Sequence, residues 1–205
     1  GTFVGYGAGQ AHTGGYSTIT GYGAGQANTG TYLTAYGVPS GYQNTGGAVV
    51  AVGYLSAAQN TANALIAIGN EASRYRSASS SIMIGYRAGF GSDLTRRSIT
   101  NSTFIGDHAG FGITTGNNNL LLGYFVGDAL SSGSNNIAIG YNIDLPSSTG
   151  SNQLNIGNLL FGTGIDGTNT TLSSGKIGIG TTSPSAKLQI TGTAGSGDIF
   201  AISSS

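Results

Sequence analysis

An all-β chain wound as a parallel β-roll, or β-solenoid, is the fold class that three features of this 205-residue sequence predict. A short apolar strand followed by Gly or Ala recurs at ten places, 38 of the residues are glycine, and no stretch keeps apolar side chains at helical spacing without a glycine interrupting it. The repeat falls at positions 5, 21, 35, 53, 69, 85, 106, 123, 140 and 157, mostly 16 or 17 residues apart. Helical repeats need more than about 30 residues, so each unit is one coil. Ten coils at a strand spacing of about 4.8 Å give a rod of about 50 Å.

Strand side chains alternate, so the residues three before and one before the repeat glycine share a face. Val50 and Val52, Ile66 and Ile68, Ile82 and Ile84, Leu120 and Leu122, Ile137 and Ile139, and Leu154 and Ile156 fill these columns and are expected to form the coil interior. The residue between them then faces outward: Phe3, Ile19, Leu33, Ala51, Ala67, Met83, Phe104, Leu121, Ala138 and Asn155, apolar in nine of ten coils. A second apolar face calls for another packed surface, and another copy of the chain is the expected partner. On this assignment Ile68→Asp or Ile139→Asp collapses a coil, whereas Met83→Asp or Leu121→Asp dissociates chains.

Three residues after the repeat position stand Ala8, Ala24, Val38, Ala72, Ala88, Ala109, Val126, Ile143 and Leu160, a second inward column that gives each coil two short strands. Asn-Thr-Gly at 28–30 and 44–46, with related Gly, Asn and Ser clusters up to 152, marks the turns, because Gly and Asn accept positive φ. The period ends near residue 160. That divides the chain into a repeat domain, 1–160, and a C-terminal neck or stalk, 161–205, with strands expected at Lys187–Thr191 and Asp198–Ile202. Gly1 falls in mid-pattern, without an initiator Met or a signal peptide, so the sequence reads as a piece of a longer protein.

Composition narrows the function. Only 7% of the residues are charged and the formal net charge is zero, which removes the electrostatic footprint of a nucleic-acid binder or a membrane-surface helix. The longest nearly apolar run, 48–58, is too short to span a bilayer, so membrane insertion is not expected. Without Cys there is neither a disulfide framework nor a thiolate metal site. Calcium-binding β-rolls need Asp in nearly every repeat, which six Asp residues cannot supply, and no metal or cofactor is expected.

The units Gly-Tyr-Xaa-Ala-Gly at 5–9, 21–25 and 85–89, with the Ile-Gly and Asn-Thr-Gly elements, resemble the head repeats of trimeric autotransporter adhesins and related repeats of bacteriophage tail fibres. Gly-Lys-Ile-Gly-Ile-Gly-Thr-Thr-Ser-Pro-Ser-Ala-Lys-Leu-Gln-Ile at 175–190 is similar to the neck that precedes an intramolecular trimerising chaperone in phage and phage-like fibres, including those of contractile injection particles. The resemblance implies three parallel β-rolls packed about an axis in an extracellular, homotrimeric attachment fibre. Its implied partners are other copies of the chain, a cell-surface glycan or protein receptor, and a particle baseplate or upstream fibre segment.

Candidate sites are few. Tyr6, Tyr22, Tyr36, Tyr54, Tyr86, Tyr124 and Tyr141 follow the repeat position and are expected to stack as a ladder closing the coil, with a platform for sugar rings as the functional alternative. The widest interval, 85 to 106, predicts a protruding loop, and Arg87, Phe90, Ser92, Asp93, Arg96 and Arg97 are the candidate receptor contacts there. Catalysis has little to work with. Glu71 is the only Glu, His12 and His108 are the only histidines, and Asp107 and His108 are expected to point apart as neighbours in a strand-turn setting. Gly-Thr-Gly-Ile-Asp-Gly at 162–167 matches a phosphate-loop pattern, but no helix is predicted after it. Asn101 and Asn169 open glycosylation sequons that matter only in a host that glycosylates secreted proteins.

The leading expectation is therefore a non-enzymatic trimeric fibre displaying weak sites in multiple copies. A bacterial surface adhesin is the alternative, followed by a polysaccharide-degrading tailspike, which needs paired carboxylates, and by an ice-binding solenoid.

Overall fold

The computed structural model describes residues 1–61, 63–91 and 98–192, whose regular structure is entirely β and forms a parallel solenoid of about nine turns. In chain order the strands are β1 (Thr2–Val4), β2 (Thr18–Thr20), β3 (Leu33–Tyr36), β4 (Val49–Val52), β5 (Leu65–Ile68), β6 (Ser77–Ser79), β7 (Ser81–Ile84), β8 (Ser98–Thr100), β9 (Thr103–Ile105), β10 (Leu120–Leu122), β11 (Ile137–Ile139) and β12 (Gln153–Ile156). All but β6 and β8 stack in parallel in one sheet, and those two pair as a short second ladder. Because Thr34 pairs with Val50, Ala35 with Ala51 and Tyr36 with Val52, the third repeat position is Gly37 and not residue 35.

The interior is the opposite of the expected one. The middle residue of each strand points inward: Ile19, Ala35, Ala51, Ala67, Met83, Phe104, Leu121, Ala138 and Asn155 are fully buried, and only Phe3, in the first coil, is exposed. The flanking columns point outward, with Ile66 and Ile68 at 37% and 36% exposure and Ile105 and Ile156 both at 38%. Both columns are apolar, so alternation alone does not choose between them. The register does: the residue four before the repeat glycine points inward as well, so Leu33, expected outside, is fully buried together with Val49 and Leu65, and strand alternation then puts the flanking columns on the other face.

The inward column on the return side holds where register allows. Ala24, Ala72, Ala88, Ala109, Val126 and Ile143 are buried. Val38 is 43% exposed because the register shift gives its place to Ser40, whose Oγ donates to the Ala51 carbonyl at 2.7 Å. Leu160 instead opens β13 (Leu160–Thr163), outside the parallel winding.

The expected second strand of each coil is instead a run of consecutive turns in which every other residue is left-handed. Gly69, Glu71, Ser73 and Tyr75 take φ of 132°, 56°, 52° and 58°. Their amides still bridge coils, with Glu71 N donating to Tyr54 O at 2.8 Å, Ser73 N to Ala88 O at 3.0 Å and Tyr75 N to Ala58 O at 3.1 Å. A left-handed non-glycine residue costs about 1–2 kcal/mol, which favours glycine on this side.

Glycine also answers a demand for space. Ala57 and Ser73 show that the position four after the repeat glycine tolerates a side chain at φ near 50°, and they lie in coils whose strand residue is Ala51 or Ala67. Where the strand carries Ile19, Met83, Phe104 or Leu121, the same position is Gly25, Gly89, Gly110 or Gly127. A Cβ on Gly110 would lie 2.7 Å from the Phe104 ring. Gly110→Ala should therefore destabilise the chain by about 1–3 kcal/mol as overpacking. Pairing it with Phe104→Leu should cost less than the two single changes added together, as read from urea midpoints; simple additivity would refute the pairing.

Buried amides run along the rod. Asn60 Nδ2 donates to Asn44 Oδ1 at 2.9 Å and Asn44 Nδ2 to Asn28 Oδ1 at 2.8 Å, while Asn28 Nδ2 meets His12 Nδ1 at 3.0 Å. Burial pushes the His12 imidazole below its ordinary range, matching its use as a neutral acceptor. One coil beyond Asn60, the buried Arg76 donates from Nε to Gly89 O at 2.9 Å and from Nη2 to Phe90 O at 2.8 Å. These side-chain bonds reach from one coil to the next, which pins the register.

After β12 the winding stops. The chain turns back as β13, antiparallel to β12, then runs as β14 (Lys176–Ile179), antiparallel to β13, and β15 (Leu188–Ile190), parallel to β14, all continuing the same sheet. The strand expected at Lys187–Thr191 is β15, and Asp198–Ile202 lies outside the described residues. Gly162, inside the phosphate-loop pattern, belongs to β13.

Candidate functional site

Charge and aromatic chemistry gather on the return side of the middle coils. Arg87 Nε donates to Glu71 Oε2 at 2.6 Å, Arg74 Nη1 pairs with Glu71 Oε1, and Arg74 Nη2 donates to the Tyr75 hydroxyl. The Arg87 guanidinium lies 5.1 Å from the Tyr86 ring centre and 5.3 Å from that of Phe90, within cation–π range. Burial pushes the Glu71 carboxyl up, but hydrogen bonds from Arg87 and Arg74 and their charges outweigh it and hold it below the usual carboxylate range.

The stabilisation from a depressed carboxylate is present above its unfolded pKa and lost as the pH falls through its folded one. Glu71→Gln should therefore lower the urea midpoint at neutral pH, and wild type and variant should converge below the ordinary carboxylate range. A gap that persists in acid would show that packing, not charge, sets the effect.

The cluster continues toward the C-terminus. Phe90 stacks on Phe111 at 5.6 Å, and His108 stacks on Phe125 at 4.4 Å while meeting Tyr86 at 5.1 Å and Phe111 at 5.0 Å. Asp107 and His108 do not point apart as expected, because His108 is left-handed, with φ 55°, and its Nδ1 meets Asp107 Oδ1. Among the described residues this pair interacts with itself and, through His108, with the rings of Tyr86, Phe111 and Phe125. Burial pushes the Asp128 carboxyl up, aided by the charge of Asp144, whose Oδ1 accepts from Ala129 N at 3.0 Å. Among the described residues no group of three or more His, Asp or Glu is placed to hold a metal.

Of the candidate receptor contacts, Arg87 and Phe90 share this cluster, whereas Ser92, Asp93, Arg96 and Arg97 lie outside the described residues. The tyrosine column is not one ladder. Tyr6 stacks on Tyr22 at 5.5 Å and Tyr124 on Tyr141 at 5.2 Å, but Val38, Asn70 and Asp107 interrupt the column. The register shift puts Tyr36 in β3, on the outward strand face. A second stack, Tyr16 on Tyr32 at 5.5 Å, was not singled out by the repeat position. Glu71 and Arg74 were also missed, although each lies one 16-residue coil before a candidate, Arg87 and Phe90 respectively. Coil arithmetic applied to the charged residues would have found them.

Thr occupies the outward strand columns only at Thr2, Thr18, Thr20, Thr34 and Thr103, so those columns carry no continuous Thr lattice. No family model, curated protein or solved structure matches the chain.

Proposed function

We propose that the chain is part of a non-enzymatic, homotrimeric attachment fibre that works outside the cell, on a virus, an injection particle or a bacterial surface. The observation that carries this reading is the outward strand face. From β4 to β12 its columns are almost wholly aliphatic, from Val50 and Val52 to Leu154 and Ile156. Seven strands about 4.8 Å apart make a strip about 30 Å long, which at about 10 Å wide presents about 300 Å², as much as the largest apolar patch of a typical soluble monomer. Three such faces turned toward one axis cover each other and leave the return sides, with Arg87, Phe90 and their neighbours, facing outward for a receptor.

The arrangement would act by rigid display in three copies, where avidity does the work of affinity. The cell-surface receptor, a glycan or a protein, and the baseplate or upstream fibre segment belong to the same proposal. Light scattering on the chain tests it: a native mass of three times 20.4 kDa is expected, and a stable monomer with native circular dichroism would refute it.

A further inference from the structure

We infer that a groove where the winding ends, formed by Asn135, Asn152, Ile165, Asp166, Gly167 and Thr168, binds a neutral saccharide. The groove has a volume of about 260 Å³, just under the size at which sites for drug-like molecules begin and suited to one or two sugar rings. Its floor is an exposed amide ladder. Asn118 Nδ2 donates to Asn135 Oδ1 at 2.9 Å and Asn135 Nδ2 to Asn152 Oδ1 at 3.0 Å. Because the coils stop one turn later, the ladder has no next asparagine, and Asn152 Nδ2 donates to no group among the described residues.

The far wall is a loop that the fold holds in place. Ile165 N donates to Asn152 O at 3.0 Å, and Asp166 accepts from Ser174 N at 2.7 Å and Ser174 Oγ at 2.6 Å. Gly167 N donates to Ser173 Oγ at 2.9 Å, and Lys187 Nζ braces the loop through Ser174 O and Gly175 O. The hydrogen bonds from Ser174 hold the Asp166 carboxyl below the usual range, so it is ionised at neutral pH, with lone pairs to spare.

The groove therefore offers an amide donor, a carboxylate acceptor, the Thr168 hydroxyl and the aliphatic Ile165 on one surface. A sugar ring has the matching parts, hydroxyls that donate and accept and a C–H face. The carboxylate disfavours acidic sugars and phosphates, and a single carboxylate opposite an amide donor is a poor cation site.

The biological role rests on the fibre reading, since the groove would be a second receptor contact of that fibre besides the return side, but the binding itself does not. Saturation-transfer NMR on the whole chain, with the methyl glycosides of glucose, galactose, mannose and N-acetylglucosamine and with methyl glucuronide as the acidic probe, tests it. Transfer to at least one neutral glycoside is expected, with a weaker signal for the glucuronide. Asn152→Gly keeps the backbone at φ 60° and Thr168→Val keeps the loop's backbone bond from Thr171 N, so both should fold. Each should weaken binding about tenfold, while Thr13→Ala, an exposed change in the first coil, should leave it unchanged.

Transfer from none of the neutral sugars, preference for the glucuronide, or equal binding by folded Asn152→Gly and Thr168→Val variants would each overturn the site. Light scattering on the same samples separates the two proposals. Sugar binding by a monomer keeps the site and removes the fibre, whereas a trimer that binds no sugar does the reverse.

Discussion

Gly53→Ala should fail to form a continuous rod. Gly53 sits at φ 129°, a region closed to L side chains, and a Cβ there would come 2.5 Å from the carbonyl oxygen of Gly69 in the next coil. The same contact recurs from Gly5 onward, since each repeat glycine packs directly under the next one's backbone. No rotamer relieves a clash between Cβ and backbone, so the coils must separate, breaking the ladder on both sides of the substitution. The expected loss exceeds about 4 kcal/mol, in the range reserved for strain and broken networks. Because coils touch only their neighbours, the break should be local, and limited proteolysis should cut between the coils of Gly53 and Gly69 before any other site. Gly15→Ala is the control: nothing lies within 4 Å of its Cβ, and it should change the melting temperature by only a few degrees. Equal effects at Gly15 and Gly53 would show that glycine content, rather than the stacked column, sets stability.

Charge placed on the two faces of a strand should have different consequences. Leu121→Asp buries a carboxylate in a column with no exposure and no cation beside it. Burying an unpaired charge costs more than a marginally stable domain can offset, so the far-UV signal should be lost around that coil. Ile139→Asp lies on the outward column, where water reaches it in a single chain. Its circular dichroism should stay native, and on the trimer proposed above the native mass should fall from three chains to one, because three carboxylates would then face each other across the shared axis. These outcomes reverse those expected when the flanking columns are taken as interior. A variant at Ile139 that unfolds, or one at Leu121 that folds and only dissociates, would restore the original assignment.

The repeat, its period and the absence of helical spacing were legible in the sequence because a stacked coil writes the same side-chain alternation into every turn. The third repeat position was misplaced because Ala35-Tyr36 imitates the Gly-Tyr pair of most other coils while Gly37 is followed by Val38; only pairing across β3 and β4 moves it to Gly37. The candidate cluster was half legible. Arg87 and Phe90 stood out by composition, but Glu71, Arg74, Tyr75, Phe111 and Phe125 join them by the distance between coils, which a linear reading does not measure.

By itself, the sequence determined that this chain winds as a parallel β-solenoid, since only a 16- or 17-residue coil reconciles so much glycine with a recurring apolar strand. The tertiary structure alone decided which face lies inside. Val50, Ala51 and Val52 are all apolar, so hydrophobicity gives no vote. In β4 the register buries Val49 and Ala51 under the return-side turns, where Ser40 Oγ donates to Ala51 O, and strand alternation leaves Val50 and Val52 on the opposite face.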